Sequence, residues 1–583
     1  MTLRHPPRAA LALTALAAFL GCGSDRVTDP SPDDCGTPRV LGELQGVTVG
    51  VGRGERQCVT LTAEGARYLV VPQLATPDDP RRGLNEEPPS IAFALSSGVG
   101  GGGPVLDVAR GQPAGRLRAV QPRPNGRQRT SQQRLDARLR QREHGYANVA
   151  RQRATPSGPR PNLSVAAPPP VVGQITTFQV LNTLDEKEAF TPVTATAKFV
   201  GENVAVYLDN AAPPALDDAT LTAYARTFDD KLYPAVVSNF GAESDIDANG
   251  VIIVLLTPVV NKLVTADECM TNGFVTGFFY GRDLVPSLAN SNKAEIFYGM
   301  VPDPTGSTGS CAHRLEDFGD LVPSTFVHEF QHMISYNQHV LVRGGADEEP
   351  WLNEGLSHMA EEVASLLYER DPSQPRTNPE QIFPDSAQGF INGNFGNAYD
   401  YLVDPTAHSV TNFTGFGTLP ERGAAWLFLR WLGDQRGDGI FKRLVETNNT
   451  GIANVQAQAG APFAQLHANF ATAVYAANLP ADVRAGLPGQ YQFTSRDLKV
   501  IYARLNTVAP AIYSRVYPVV AKALAAGGSA AGTMFPGTQD WYVLNTNAGD
   551  ALTTVRFAGA DGQSLRTELV PQVTVFRLPN ATP

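Results

Sequence analysis

The spacing of apolar positions changes along the chain, and those changes divide it. Ala9 to Leu20 is a largely apolar run behind the basic residues Arg4, His5 and Arg8. It is too short to span a bilayer and has the pattern of a removed signal peptide. From 35 to 100 the apolar residues fall in short β-branched runs separated by glycines: Val40-Leu41, Val47-Thr48-Val49, Cys58 to Thr62 and Tyr68 to Val71. Such runs predict a small sandwich-like domain. The same pattern returns between 174 and 210, as in Phe178-Gln179-Val180 and Val204 to Leu208. Tyr224, Phe228, Leu232 and Val236 then stand at four-residue steps, which predicts a helix over 219–240 that Pro234 kinks or ends. Val251 to Leu256 reads as a buried strand and Ala294 to Tyr298 as another. Helical spacing follows in Ala424 to Leu432 and Phe463 to Tyr475. Beyond Gln490, Trp541 to Leu544 and Val573 to Phe576 suggest a second β module.

Within this pattern one helical stretch has two different faces. In Phe326-Val327-His328-Glu329-Phe330-Gln331-His332-Met333-Ile334, a rotation of about 100° per residue puts His328 and His332 about 40° apart. Glu329 follows roughly 60° further round, while Phe326, Val327, Phe330, Met333 and Ile334 take the opposite arc. Two imidazoles on one face of a helix suit a single metal ion, with the intervening glutamate on its flank. A Zn²⁺ site with one open position needs a third protein ligand. Glu354 supplies it, 22 residues beyond His332 at the start of a second helix, Trp351 to Glu362. Pro323 suits the first turn of the motif helix, with Asp320 as its cap.

Composition adds less. Histidine is scarce, 9 in 583 residues, so the pairing of His328 with His332 is not a product of abundance. A net charge of -10 offers no reason to propose nucleic acid as a partner. Between Arg110 and Arg160, however, thirteen arginines face only Asp136 and Glu143, and Pro156 to Pro170 is proline-rich. Although Arg134 to Arg140 has helical character, this window reads as a solvated linker. Cys35, Cys58, Cys269 and Cys311 allow three pairings in an exported chain, and neighbours in sequence favour Cys35–Cys58 and Cys269–Cys311. Phe19-Leu20-Gly21-Cys22 resembles a bacterial lipobox, which implies a lipidated Cys22 and membrane contact through that anchor alone. Asp245 to Gly250 matches the opening of a calcium loop. Position 12 is Leu256 rather than a carboxylate, so a turn into a strand is expected there and Ca²⁺ is the lesser alternative.

His328-Glu329-x-x-His332 followed by Asn353-Glu354-Gly355 resembles the gluzincin metallopeptidases, the group that includes thermolysin. The fuller wording around both segments is most similar to the hyicolysin-type peptidases, chiefly over 295–480. This resemblance implies an α+β, zincin-like catalytic domain: a mixed sheet over the motif helix and a helical lower subdomain, flanked by small β-sandwich-like modules. It implies zinc held by His328, His332 and Glu354, Glu329 as general base, a protein or peptide substrate, and Ala294 to Tyr298 as the substrate-pairing edge strand. Relatives place an acid four residues after the third ligand to orient a histidine. Here that position is His358, and Glu361 or Glu362 is the substitute. Tyr399, Tyr401, His408 and Arg422 are the choices for steadying an oxyanion.

The expected organisation is a lipoprotein-type signal peptide (1–21), an N-terminal β domain (22–103), a basic linker (104–172), the peptidase domain (173–483) and a C-terminal β module (484–583). The function expected is an exported, secreted or envelope-anchored, zinc endopeptidase. The rivals are an adhesion lipoprotein using the same core as a scaffold and a metal hydrolase of non-peptide esters or amides. A scaffold has no need of Glu329.

Overall fold

The computed structural model describes residues 35, 37–50, 58–62, 65–77, 87–99, 130–153, 168–378, 380–415, 417–549 and 552–580. The expected signal peptide, Cys22 and much of the expected linker lie outside these residues. The first four strands are β1 (Gly46–Gly50), β2 (Cys58–Thr62), β3 (Arg67–Leu74) and β4 (Ile91–Val99). A 23-residue helix follows, α1 (Ser131–Arg153), where the charge pattern suggests a solvated linker. The correction has a physical basis. Leu135, Leu139 and Ala147 recur at helical spacing and are buried, and Asp136, Arg140 and Glu143 find buried partners that no local pattern announces.

Six strands form the central sheet: β5 (Ile175–Leu181), β6 (Phe190–Val200), β7 (Val204–Asp209), β8 (Ile252–Leu256), β9 (Gly277–Phe279) and β10 (Ile296–Gly299). Their order is β5-β6-β7-β8-β10-β9. β8 pairs in parallel with β7 and β10, whereas β9 runs antiparallel to β10. The strand expected at the edge, Ala294 to Tyr298, is therefore interior, and the edge is the three-residue β9. So short a strand leaves no alternation to read. The helix expected over 219–240 is two segments, Asp218–Thr227 and Tyr233–Phe240, joined by a wider turn at Phe228–Leu232. Pro234 sits in the first turn of the second segment, where its missing N–H costs little.

Under the sheet lies α2 (Leu315–Tyr336), the motif helix. It begins well before Pro323, and Asp317 Oδ2 accepts the Arg314 N–H (2.9 Å) at its start, so Asp320 is not its cap. Proline sits inside the helix because Phe318 and Val322 extend the same buried face backwards. Phe326 stacks on Phe228 and meets Phe297 of β10 edge-on, and Phe330 stacks on Tyr233. The apolar arc thus packs as helical geometry requires. Below α2 come α3 (Pro350–Glu369), α4 (Asp385–Val403), α5 (Leu419–Arg436) and α6 (Phe463–Ala476).

The last strands are β11 (Lys522–Leu524), β12 (Ser529–Met534), β13 (Tyr542–Asn545), β14 (Leu552–Gly559) and β15 (Pro571–Leu578). Instead of making a module of their own, they interleave with the first four. One sheet runs β1-β15-β3-β13-β11 and the other β12-β4-β14-β2. The two β regions are one sandwich, because each end of the chain supplies strands whose neighbours come from the other end. Its inner faces enclose a second core, including Val59, Phe93, Tyr542 and Val575. Trp541 Nε1 donates to Ala471 O of α6 (2.8 Å), tying the sandwich to the helices. Cys35–Cys58 and Cys269–Cys311 are disulfide-bonded, consistent with an exported chain. No helix among the described residues is long and apolar enough to cross a membrane.

Helices α4 and α5 approach closely at Gly423, where an added Cβ would stand 2.3 Å from the Asn397 carbonyl carbon and 2.4 Å from Ala398 N. Backbone atoms cannot step aside as a flexible side chain can. Gly423→Ala is therefore expected to destabilise the protein by about 1–3 kcal/mol, read as a lowered urea midpoint with unchanged slope.

Candidate metal centre

α2 and α3 bring three side chains together from two separate stretches of sequence. His328 Nε2 lies 3.4 Å from Glu354 Oε2, and His332 Nε2 lies 3.8 Å from Glu354 Oε1. One ligand atom from each residue falls within 4.8 Å of the others. His332 and Glu354 are each 1% exposed. Trp351, Leu352 and Leu356, all fully buried, fix α3 in the helical core. Gly355 lets it approach α5, since a Cβ there would meet Leu429 Cδ1 at 2.8 Å.

The outer nitrogen of each imidazole is already engaged. His328 Nδ1 lies 2.8 Å from Glu361 Oε1, and His332 Nδ1 lies 3.0 Å from Asn353 Oδ1 and 3.1 Å from Ser357 Oγ. A carboxylate can only accept there, so Nδ1 of His328 holds the hydrogen; the Asn353 carbonyl oxygen sets the same tautomer in His332. Both Nε2 lone pairs then point inward. His332 Nε2 and both oxygens of Glu354 are buried without a hydrogen-bond partner. A buried polar atom left unpaired costs about 1–3 kcal/mol, and here several point at one spot. Two imidazoles and a carboxylate are also the donor set a divalent ion of borderline softness takes. The residues fit such an ion.

The electrostatics agree. Burial keeps the His332 imidazole neutral, with Arg140 adding to the effect, and drives its pKa well below the usual value. Burial opposes charge on His328 too, but Glu354 and Glu361 outweigh it and raise that pKa to about 10. Two carboxylates face the ring, so a proton on Nε2 competes with a cation for the same lone pair. Burial works against ionisation of Glu354, yet Arg422, then His328 and His332, hold it far below the ordinary carboxylate range.

Of the two candidate acids, Glu361 is the one that meets His328. Its neighbour Glu362 turns away, accepting from Trp426 Nε1 (2.9 Å) and Arg496 Nε (2.7 Å). His358 shares Glu361, its Nδ1 standing 3.0 Å from Oε2. Glu329 lies beside the three converging groups. Its Oε2 accepts the Phe279 N–H of β9 (3.0 Å) and stands 3.5 Å from Arg140 Nη2 of α1. Burial raises its pKa to about 7, against the pull of Arg140. Of the four oxyanion choices Arg422 reaches these residues, with Nη1 3.0 Å from Glu354 Oε2. Tyr401 Oη accepts a hydrogen bond from Gln539 and Tyr399 Oη accepts the Arg515 N–H, both toward the C-terminal segment. His408 lies half-buried in the stretch after α4. Nothing in the sequence marks Asp136, Arg140 or Phe279 as site residues, because only the fold brings them to Glu329 and Arg422. At Asp245 to Gly250, where a turn is expected and Ca²⁺ is the lesser alternative, the Asn249 and Gly250 N–H groups bond back to Asp247 and Asp245 and the chain enters β8; Asp245, Asp247 and Glu295 each bring a ligand atom within 4.8 Å of the others.

No protein-family model matches the chain. It is 28% identical over 256 residues to the neutral metalloprotease ShpI of Staphylococcus hyicus, a stretch that covers 43% of this chain and 50% of that protein. The chain thus spans about half the length of that relative. The likeness supports a metallopeptidase and, with the buried His and Glu cluster, a metal-dependent one.

Replacing an acid that orients a ligand histidine typically lowers metal affinity by about 10–100-fold. Glu361→Gln is expected to show a loss of that size for Zn²⁺ in competition with a chromophoric chelator. Glu362→Gln, which touches Trp426 and Arg496 instead, should lower thermal stability and leave that affinity in place.

Proposed function

We propose that the protein is an exported zinc-dependent endopeptidase of the gluzincin, hyicolysin-like type, with His328, His332 and Glu354 as the metal ligands and Glu329 as the general base. The observation that supports this most is the inward convergence of His328 Nε2, His332 Nε2 and the two Glu354 oxygens, with Glu329 next to His328 on the same helix. When bound, zinc supplies Lewis acidity toward water and toward a peptide carbonyl. Glu329 takes the proton of the attacking water and returns it to the departing amine. Its neighbourhood suits both halves of that task, since burial favours the protonated form while the Phe279 N–H favours the ionised one. Glu361, Asn353 and Ser357 keep the imidazoles in one tautomer. Arg422 balances Glu354 and is the residue best placed to steady a developing oxyanion. The edge of β9 is the backbone on which an extended peptide would pair.

Glu329→Gln should retain zinc and lose about 10²–10⁴-fold in kcat for chelator-sensitive cleavage of casein. Undiminished cleavage by that variant would remove Glu329 from the role. Casein left intact by the zinc-loaded protein, alongside hydrolysis of a small ester, would point to the non-peptide hydrolase instead. The leader and Cys22 further suggest a lipid anchor at the cell envelope. Cys22→Ser is then expected to move the protein from the membrane fraction to the soluble one.

A further inference from the structure

Helix α1 lies across the place where a substrate would pair. In an antiparallel edge strand, alternate residues direct both their N–H and C=O groups outward. In β9 those residues are Gly277 and Phe279, and among the described strands only β10 pairs with β9. Three of these four outward groups, Gly277 O and both groups of Phe279, are taken by side chains of α1 and by Glu329. Gln132 grips the strand twice: its Nε2 donates to Gly277 O (2.9 Å) and its Oε1 accepts the Thr276 N–H (3.0 Å). Arg140 Nη2 donates to Phe279 O (2.9 Å), and Glu143 Oε1 accepts the Gly281 N–H (2.7 Å). From the same helix, Asp136 pairs with Arg422 on α5 (3.2 Å) and Gln133 reaches Gly417 O (3.3 Å). α1 thus bridges the two sides of the centre, and between them its Arg140 stands against Glu329.

We propose that α1 is an intramolecular inhibitor: in this conformation the chain holds its own cleft shut, and a peptide must displace α1 to reach β9 and Glu329. The inference rests on the peptidase reading for the identity of what is excluded. The character of the buried face supports it. Asp136, Arg140 and Glu143 are all nine-tenths buried or more. Burying charges solely for stability is poor economy, because apolar side chains of like volume usually serve as well or better. Leu135, Leu139 and Ala147 hold the helix to the core, and the side of it that answers backbone groups and charges one by one is what an occupant of a polar cleft requires. The pairing of Arg140 with Glu329 also takes up the carboxylate that would otherwise face water.

A site open only in a small fraction of molecules shows an apparent affinity reduced by that fraction. The test uses the full chain loaded with zinc, as wild type, as Gln132→Ala/Gln133→Ala, and as Gln132→Ala/Asp136→Ala/Arg140→Ala. The first variant leaves every ion pair intact, so it stays informative should the second fail to fold. Affinity for a fluorescent peptide hydroxamate is read by anisotropy, and chelator-sensitive peptide cleavage is measured alongside. The expected result is affinity at least about 10-fold tighter than wild type, with kcat/KM rising in step. Affinity unchanged or weakened in a folded variant overturns the proposal and makes α1 a fixed part of the site. Tighter binding without cleavage in any form upholds the occupied cleft while removing the peptidase reading.

Discussion

The structure depends on a carboxylate in the dry interior whose two oxygens find no hydrogen-bond partner. Glu354 stands between two imidazoles, deep in a helical core, where an isolated ionised group would cost many kilocalories per mole. What makes it tolerable is the ring of opposite or mobile charge around it: the Arg422 guanidinium at 3.0 Å and the nitrogens of His328 and His332. That ring exists only because α2, α3 and α5 are held at close and fixed distances. Fully buried Trp351 and Trp426 supply the grip, and glycines at the crossing points supply the closeness. Packing and chemistry are therefore a single constraint. The apolar arc of α2 under the sheet fixes the rotation that turns His328, Glu329 and His332 toward α3.

Much of this could be read before any coordinates, and the reason is periodicity. His328 and His332 lie on one turn of one helix, so local geometry suffices to pair them. Glu354 needed only a helix reversal of ordinary length. Glu361 was harder, since helical spacing admits both it and Glu362, and only the positions of Trp426 and Arg496 separate their tasks. The limits appear where partners are distant in sequence. Arg140 and Glu329 are 189 residues apart, and no pattern in either segment points to the other. In the same way β9 is three residues long, too few to show an alternation, and it became the edge in place of the longer run beginning at Ala294. Arginine-rich composition misled for α1 because a helix can bury charge wherever the opposing surface is charged too.

The two interfaces around the centre differ in kind. Around α2 the contact is aromatic, with Phe326 and Phe330 interlocked with Phe297 of the sheet and Phe228 of the neighbouring helical turn. Between α1 and the sheet edge it is made of amides, guanidinium and carboxylates. Apolar contact of the first kind is indifferent to detail and hard to exchange. Polar contact of the second kind can be traded for another set of hydrogen bonds at small net cost, which is the property of transient interfaces.

The sandwich imposes an order on the life of the chain. Thr48 of β1 and Thr574 of β15 share a hydrogen bond across 526 residues, and β14 fits between β2 and β4. β1 to β4 therefore wait, with open flanks, until β12 to β15 have been made. Contacts so remote are slow to close, and strands kept waiting invite mispairing. Closure of the sandwich therefore takes in everything between its halves, and it reports that the intervening sequence has been made.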